Sequence, residues 1–347
     1  MSWLINRRAA DGEREQNIQQ KNDLLLKLSS QINNDALAAV EELRRLGWLT
    51  DGTLRKVKLI GANLQGARLS EAHLAEADLS GANLQEAALR KANLSDALLH
   101  VTSLQRANLV EANLQKASFL KANLVGARLT EADLQEADLG EANMQGTDLR
   151  DANLRMSRMS QTDLQGADLS GANMQGAHLM GARLQEATLN NARLLEVYLG
   201  NANLHRARLV GANLSGATLA GANLRQADLE DANLQEARLG VADLWRANLS
   251  RANLFGANLL RARMQEANLS RTNFQNASLR ETALQGSRLW LSNLQGADLT
   301  GANLLGAEFK WPQLSEDTLL PDGTFWNATV DMSRFTNHEH PDFWQPD

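Results

Sequence analysis

The chain has 347 residues, a formal net charge of −6 and no cysteine, which excludes disulfide bonds, thiol chemistry and cysteine-based metal sites. No apolar run approaches the ~18–20 residues of a membrane span, and the start lacks the pattern of a signal peptide. We therefore expect a cytoplasmic protein that makes no membrane contact.

Residues 1–53 are predicted to form a helical N-terminal cap. Residues 12–31 place apolar side chains at helical spacing among many Gln, Glu and Lys residues. A second helix is predicted from residue 34 or 35 to Leu46, where Gly47 ends it. A helical module that binds a partner is the alternative interpretation of the same residues.

From Leu54 to Phe309 the chain repeats every five residues without interruption. Of the 51 central positions from Leu59 to Phe309, 44 are Leu, and the position two residues earlier is Ala in 41 of 51 repeats. The exceptions at the central position are Phe119, Met144, Met159, Met174, Met264, Phe274 and Phe309. About three quarters of the protein is therefore one repeated structural unit.

A five-residue period would not place every Leu on one face of either an α-helix or a straight β-strand. In an α-helix, successive Leu residues would lie roughly 140° apart around the axis, and in a straight strand they would alternate between the two faces. The chain must therefore bend once per repeat, so that each repeat forms one side of a coil and directs its Leu inward. Successive coils would stack at the strand spacing of about 4.8 Å.

The residue before each Leu indicates how many sides a coil has. Asn is frequent in two of the four series that step by twenty, beginning at Asn63 and His73, and rare in the series that begin at Lys58 and Arg68. This alternation forms vertical stacks only if the number of sides is even, and four is the smallest plausible number. Stacked Asn side chains are then predicted to form amide ladders. Gly stands two residues after the Leu in 17 repeats, where the chain would turn a corner at positive φ.

Several of these repeats resemble the pentapeptide-repeat family. Residues 62–66, 77–81 and 182–186 read Ala-Asn-Leu-Gln-Gly, Ala-Asp-Leu-Ser-Gly and Ala-Arg-Leu-Gln-Glu. The resemblance covers residues 54–309 and implies a bacterial protein with an all-β solenoid fold, a right-handed quadrilateral β-helix. We expect about thirteen coils and a length on the order of 60 Å.

Charge is balanced along the repeats, with 26 Lys and Arg and 26 Asp and Glu in residues 54–309. An acidic cluster comprises Glu131, Asp133, Glu136, Asp138 and Glu141. A more basic stretch comprises Arg246, Arg251, Arg261, Arg263, Arg271, Arg280 and Arg288. Clusters of this size are typical of solvated surface, and a dedicated partner patch is the alternative.

Residues 310–347 are predicted to form an irregular C-terminal cap and tail. All four Pro residues and six of the fourteen Trp and Phe residues lie here. We expect the aromatic side chains to cover the last coil, because the open backbone edges of a solenoid otherwise pair end to end.

The sequence contains no catalytic constellation, and we predict no catalytic residues, cofactor or metal. His338, Glu339 and His340 form a potential metal pair, but they lack further spaced His or Cys ligands. His73, His100, His178 and His205 occupy outward-facing repeat positions.

Three large aromatic residues interrupt the polar exterior: Trp245, Phe255 and Trp290. In a four-sided coil, Trp245 and Phe255 lie on opposite faces and Trp290 lies on a third, so they do not form one patch. Scattered surface aromatics are one interpretation, and partner-binding residues are the other.

Two functions from different classes follow. The first is a non-catalytic scaffold whose flat faces bind another protein, with no direct contact to nucleic acid. The second comes from the resemblance: some pentapeptide-repeat proteins imitate DNA and protect type II topoisomerases such as gyrase. That function requires a coherent negative surface, since duplex DNA carries one charge per ~1.7 Å of its axis.

Overall fold

The structure is a computed structural model that describes residues 2–346, and of residues 2–6 and 8–10 the backbone alone. It contains three helices, α1 (Ser2–Leu28), α2 (Asn33–Arg45) and α3 (Ser333–Thr336). No helix in the described part of the chain is long and apolar enough to cross a membrane. Between α2 and α3 the chain forms stacked coils, in which each repeat contributes a single β-bridge residue.

Helix α1 begins ten residues earlier than the periodicity predicts, and α2 ends near the predicted point. Residues 11–20 of α1 are exposed, whereas Leu24 and Leu28 near its end are buried. Helix α2 buries Ala36, Ala39, Val40 and Leu43. Gly47 has a φ of +74°, as the sequence predicts for a residue that ends a helix.

The bridges from Lys58 to Gln313 step by twenty residues, so four repeats make one turn, and the last parallel bridge, Asp298 to Leu319, spans 21. We name the four sides by the first bridge residue on each: face A starts at Lys58, face B at Asn63, face C at Arg68 and face D at His73. A face comprises the residue before each inward Leu and the two corner residues after it. All pairings along these faces from Lys58 to Asp298 are parallel.

Backbone hydrogen bonds follow one pattern in every coil. The N–H of Leu59 donates to the carbonyl of Asp78 in the next coil (2.7 Å), and the N–H of Asp78 donates back to Val57 (2.9 Å). At the corner, the N–H of Ala62 donates to the carbonyl of Leu59 (3.1 Å). The turn therefore satisfies the backbone locally while the flat segments pair vertically.

In every repeat the second of the two corner residues adopts positive φ, whether or not it is Gly. The 17 predicted Gly positions have φ between +60° and +72°, and 35 other residues at equivalent positions have φ between +52° and +64°. The left-handed corner is thus a property of the repeat. Val101 and Val241 are β-branched there, which is a costly choice in this region.

The inward Leu and Ala side chains form one continuous core along the axis. Phe119 and Phe274 are fully buried at Leu positions. Where Thr replaces Ala, its hydroxyl donates to a backbone carbonyl, as Thr162 does to Leu139 (2.7 Å). A hydroxyl at this position bonds either to the preceding coil or, as Ser157 does to Leu154 (2.8 Å), within its own repeat.

Asn side chains form the predicted ladders on part of the surface. Four of them on face D are joined by three hydrogen bonds of 2.9 to 3.2 Å, in which Asn273, Asn253 and Asn233 each donate to the Asn twenty residues earlier, ending at Asn213. A second role, not predicted, is more frequent: the Asn oxygen accepts the N–H of the residue two positions later, as Asn83 does from Gln85 (3.1 Å). Asn therefore also closes its own corner.

Segments outside the repeats contact both end coils. At the start, the N–H of Asn63 donates to the carbonyl of Ser30 (2.9 Å), and the N–H of His73 donates to that of Leu49 (2.8 Å). At the other end, Gly301 donates to Pro321 (2.8 Å). These bonds occupy backbone donors that a further coil would otherwise satisfy.

The aromatic residues of the C-terminal segment divide into two groups. Phe335 is buried and lies edge-on to Trp344, with ring centroids 5.9 Å apart. Trp311 and Phe325, which we expected to cover the last coil, are instead 75% and 60% exposed.

Candidate interaction surface

The twenty-residue register places the three outward aromatic residues on different faces. Trp245 lies on face B, Trp290 on face C and Phe255 on face D. All three side chains are half-buried against their neighbours. The sequence predicted that these residues would not form one patch, and the structure keeps them apart. Each is therefore a separate candidate site.

Trp245 lies between two guanidinium groups. The Cζ atoms of Arg246 and Arg225 lie 4.2 and 4.8 Å from its ring centroid. Arg225 belongs to the preceding coil and is directly below Trp245 on face B. Cation–π contacts of this kind hold both the indole and the guanidinium groups in place.

The carboxylate of Asp243 organises the rest of this site. It accepts the backbone N–H of Trp245 (3.1 Å) and lies 3.9 Å from Arg225 and 3.5 Å from Arg263. We call Trp245, Arg225, Arg246, Asp243 and Arg263 the Trp245 cluster. It combines an aromatic ring held between Arg225 and Arg246 with one carboxylate that lies beside Arg225 and Arg263.

Arg225 and Asp243 are the members that sequence reasoning missed. The basic stretch we noted begins at Arg246, and Arg225 stands twenty residues before Trp245. Reading the sequence in steps of twenty finds it directly, because that step joins vertical neighbours.

Trp290 and Phe255 have different surroundings. Trp290 lies 4.3 Å from Nζ of Lys310 and 4.8 Å from Cζ of Arg288, measured from its ring centroid. Its Nε1 is buried without a hydrogen-bond acceptor among the described residues. Phe255 has no cation over its ring in the described part of the chain, and its surroundings suggest ordinary surface packing.

The acidic and basic clusters do not form coherent patches. The five acidic residues lie on faces A, C and D of neighbouring coils. Most of the basic stretch is neutralised between coils: Arg246 pairs with Glu266, Arg261 with Glu281, Arg280 with Asp298 and Arg288 with Glu308.

Charge is balanced on each face as well as overall. Within residues 54–309, faces A and B each carry 6 basic and 5 acidic residues, face C carries 9 and 10, and face D carries 5 and 6. No face therefore departs from neutrality by more than one charge.

The potential metal pair is engaged in local contacts. Nδ1 of His340 accepts the N–H of Asp342 (3.0 Å), and Nε2 lies 3.5 Å from Asp331. Across residues 2–346 no group of three His, Asp or Glu side chains is arranged to hold a metal ion.

A family model described as Pentapeptide repeats matches residues 58–271 and 277–311 in successive overlapping segments. The chain belongs to the pentapeptide-repeat family. Members of this family fold as right-handed quadrilateral β-helices, in agreement with the twenty-residue bridges described above. No curated protein matches the chain.

Solved structures of the same family are similar to parts of the chain. HetL, a pentapeptide repeat protein involved in heterocyst differentiation regulation in the cyanobacterium Nostoc sp. strain PCC 7120, is 35% identical; the match covers 65% of this chain and 92% of HetL, with a TM-score of 0.29. A thylakoid-lumen pentapeptide repeat protein from Arabidopsis thaliana is 28% identical over 28% of this chain and 68% of its own, with a TM-score of 0.28. QnrB1, a plasmid-mediated fluoroquinolone resistance protein, is 17% identical over 50% of this chain and 86% of its own, with a TM-score of 0.29.

Proposed function

We propose that this protein is a non-catalytic scaffold that binds another protein through the flat faces of its β-helix, with the terminal segments acting as caps. The observation that supports this most directly is the Trp245 cluster. Trp and Arg are the residue types that contribute most binding energy at protein interfaces, especially where they are already held in place before binding.

The chemistry of the cluster defines the class of partner. The guanidinium groups of Arg225 and Arg263 lie beside the carboxylate of Asp243, Arg246 pairs with Glu266, and Arg263 is exposed. A partner segment that carries carboxylates beside an apolar or aromatic side chain would pair with the arginines and cover the indole. Because the ladder of coils keeps the cluster rigid, little conformational entropy is lost on binding.

The test is affinity capture from the native cell extract with wild-type protein and two matched variants. We expect W245A to lose the captured protein, since it removes the indole and the contacts that position both arginines. F255A is the control, because Phe255 is a half-buried aromatic residue on the opposite face and lacks a neighbouring cation. Equal capture by W245A and wild type would contradict the assignment of this site.

Protection of a type II topoisomerase is the second function that the family suggests. The balanced charge of all four faces does not favour it, because imitation of DNA requires a continuous negative surface. A gyrase supercoiling assay with a quinolone tests it: we expect no protection by added protein.

A further inference from the structure

Face A differs from the other three faces in composition. Of the 11 exposed large hydrophobic residues between residues 54 and 309, eight lie on face A: Ile60, Leu98, Val101, Leu120, Met180, Tyr198, Val241 and Leu260. From Ser160 to Val241 its corner residues carry no charge at all. An uncharged, partly apolar strip on an otherwise charged solenoid is unusual for a surface that meets only water.

Three glycines add a second observation. Gly140, Gly200 and Gly240 are the only glycines in the repeats that directly follow the Leu position, and all three lie on face A. Their φ values are not positive, so the backbone does not require Gly. A Cβ atom at Gly200 or Gly240 would come no closer than 3.8 Å to any neighbour. Gly200 and Gly240 therefore leave a flat surface that a second backbone can approach closely, whereas a Cβ atom at Gly140 would lie 3.3 Å from Leu120.

The column of residues that contains these glycines is complementary to itself. When two copies face each other antiparallel about Gly200, the large side chains nearest the axis each meet a small residue of the other copy, and Leu120 meets Arg280 at the ends of the contact. Met180 meets Ala220, Leu260 meets Gly140, and Gly200 meets itself. The stacked rings of His178 and Tyr198, with centroids 4.6 Å apart, lie next to this axis.

Charges at the edge between faces A and B follow the same symmetry. Lys121 and Glu141 lie before the uncharged strip, and Arg261 and Glu281 lie after it. In the same antiparallel arrangement, Lys121 meets Glu281 and Glu141 meets Arg261 of the other copy. In a parallel arrangement the two-fold axis runs along the solenoid, so this edge would lie against the edge between faces D and A of the other copy and these ion pairs would not form.

Arg238 and Arg158 are the two charges that oppose each other in this arrangement. Arg238 has no ion-pair partner among the described residues, and Asp138 lies one coil from Arg158 (3.8 Å). In the dimer, Asp138 of each copy lies diagonally across from Arg238 of the other. The Asp138 carboxylate can therefore pair with Arg158 of its own copy and Arg238 of the other, which offsets the repulsion between the two guanidinium groups.

We propose that face A is the interface of an antiparallel dimer of this chain, with the two-fold axis across the coil that contains Tyr198 and Gly200. The contact from Leu120 to Arg280 is about 38 Å long at the ~4.8 Å coil spacing. With a width of about 13 Å for four extended residues, the two copies together bury about 1,000 Å². That area is at the lower limit for a specific interface, so we expect a weak, concentration-dependent dimer.

Sedimentation velocity across a concentration series tests the dimer in the full-length protein. We expect wild type to shift from monomer to dimer as concentration rises, and G200R to remain monomeric because it places two arginines on the axis. S215R is the control, since Ser215 occupies the equivalent position on face D. A monomeric wild type, or equal behaviour of G200R and S215R, would overturn the proposal.

Two further variants test the register. Glu196 lies at the edge of face A in the same coil as Gly200 and would face Glu196 of the other copy, so E196Q should strengthen the dimer.

Since the chain has no Cys, G200C and S215C can be compared with a short bis-maleimide cross-linker. We expect a cross-linked dimer from G200C alone; cross-linking of both, or of S215C alone, would contradict the axis. The Trp245 cluster is on a different face, so its test and this one fail independently.

Discussion

The guanidinium of Arg150 donates hydrogen bonds to both carboxylate oxygens of Asp148, with Nε–Oδ1 and Nη2–Oδ2 distances of 2.8 and 2.7 Å. The two residues share face C, and Asp168 of the next coil lies 3.8 Å from the same guanidinium. These bonds, supported by the backbone N–H of Arg150, hold the pKa of Asp148 at about 2 despite its partial burial.

This pairing predicts a pH-dependent contribution to stability. Because the pKa of Asp148 is lower in the folded chain than in the unfolded chain, its contribution is complete above about pH 4 and is lost as the pH falls towards 2. We expect D148N to lower the free energy of unfolding at neutral pH by about 1 kcal/mol, a reduced value because Arg150 is half exposed. Urea unfolding measured over this pH range checks it, and a difference that does not change with pH would contradict it.

The core position of Phe119 predicts a graded response to its truncation. Phe119 is fully buried at a Leu position, and Leu99 and Leu139 precede and follow it in the adjacent coils of face A. We expect F119A to lower the free energy of unfolding by about 3–5 kcal/mol through cavity formation. F119L restores the repeat and should cost less than about 1.5 kcal/mol. Thermal unfolding compares them, and equal losses would argue against a cavity.

The corner at Val101 predicts a stabilising substitution. Val101 has a φ of +55°, and its side chain is 64% exposed, so little burial offsets the strain of a β-branched residue there. We expect V101G to raise the free energy of unfolding by about 1 kcal/mol. N191G is the control, because Asn tolerates this region and should change stability less. A destabilised V101G would mean that the side chain makes a contact worth more than the strain.

The hydroxyl of Thr162 predicts a modest loss on conversion to Val. It donates to the carbonyl of Leu139, which also accepts the N–H of Ala142 (3.1 Å). Since the carbonyl keeps one partner, we expect T162V to cost about 1 kcal/mol rather than the larger penalty of an unpaired buried acceptor. T188V, at an outward position on face C, should be nearly neutral in the same denaturation assay.

The core and the number of sides could be predicted because they depend on a count of residues. A Leu every five residues is buried only if the chain turns at every repeat, and the Asn alternation requires an even number of sides. The positive φ of Gly61 followed from its residue type, whereas that of Lys56 follows only from the geometry of the coil. Residue preference thus locates a corner but underestimates how many residue types it accepts.

The surface was less predictable because side-chain contacts between coils join residues twenty apart. The contact of Arg225 with Trp245 and the pairing of Arg251 with Asp231 (2.7 Å) both follow that spacing. The exposure of Trp311 and Phe325 shows that contacts outside the repeats could not be predicted from spacing. Outside the repeat no register exists, and an aromatic residue near an open end need not cover it.

Because of this register, deletion of one five-residue repeat and deletion of one twenty-residue turn would have different effects. Removal of a complete turn would shorten the molecule and leave every later side chain above its former column. Removal of a single quintet would keep the Leu core intact but rotate all later residues by one side, so that Trp245 would leave face B for face A. The interior therefore tolerates a change in length that would completely rearrange the exterior.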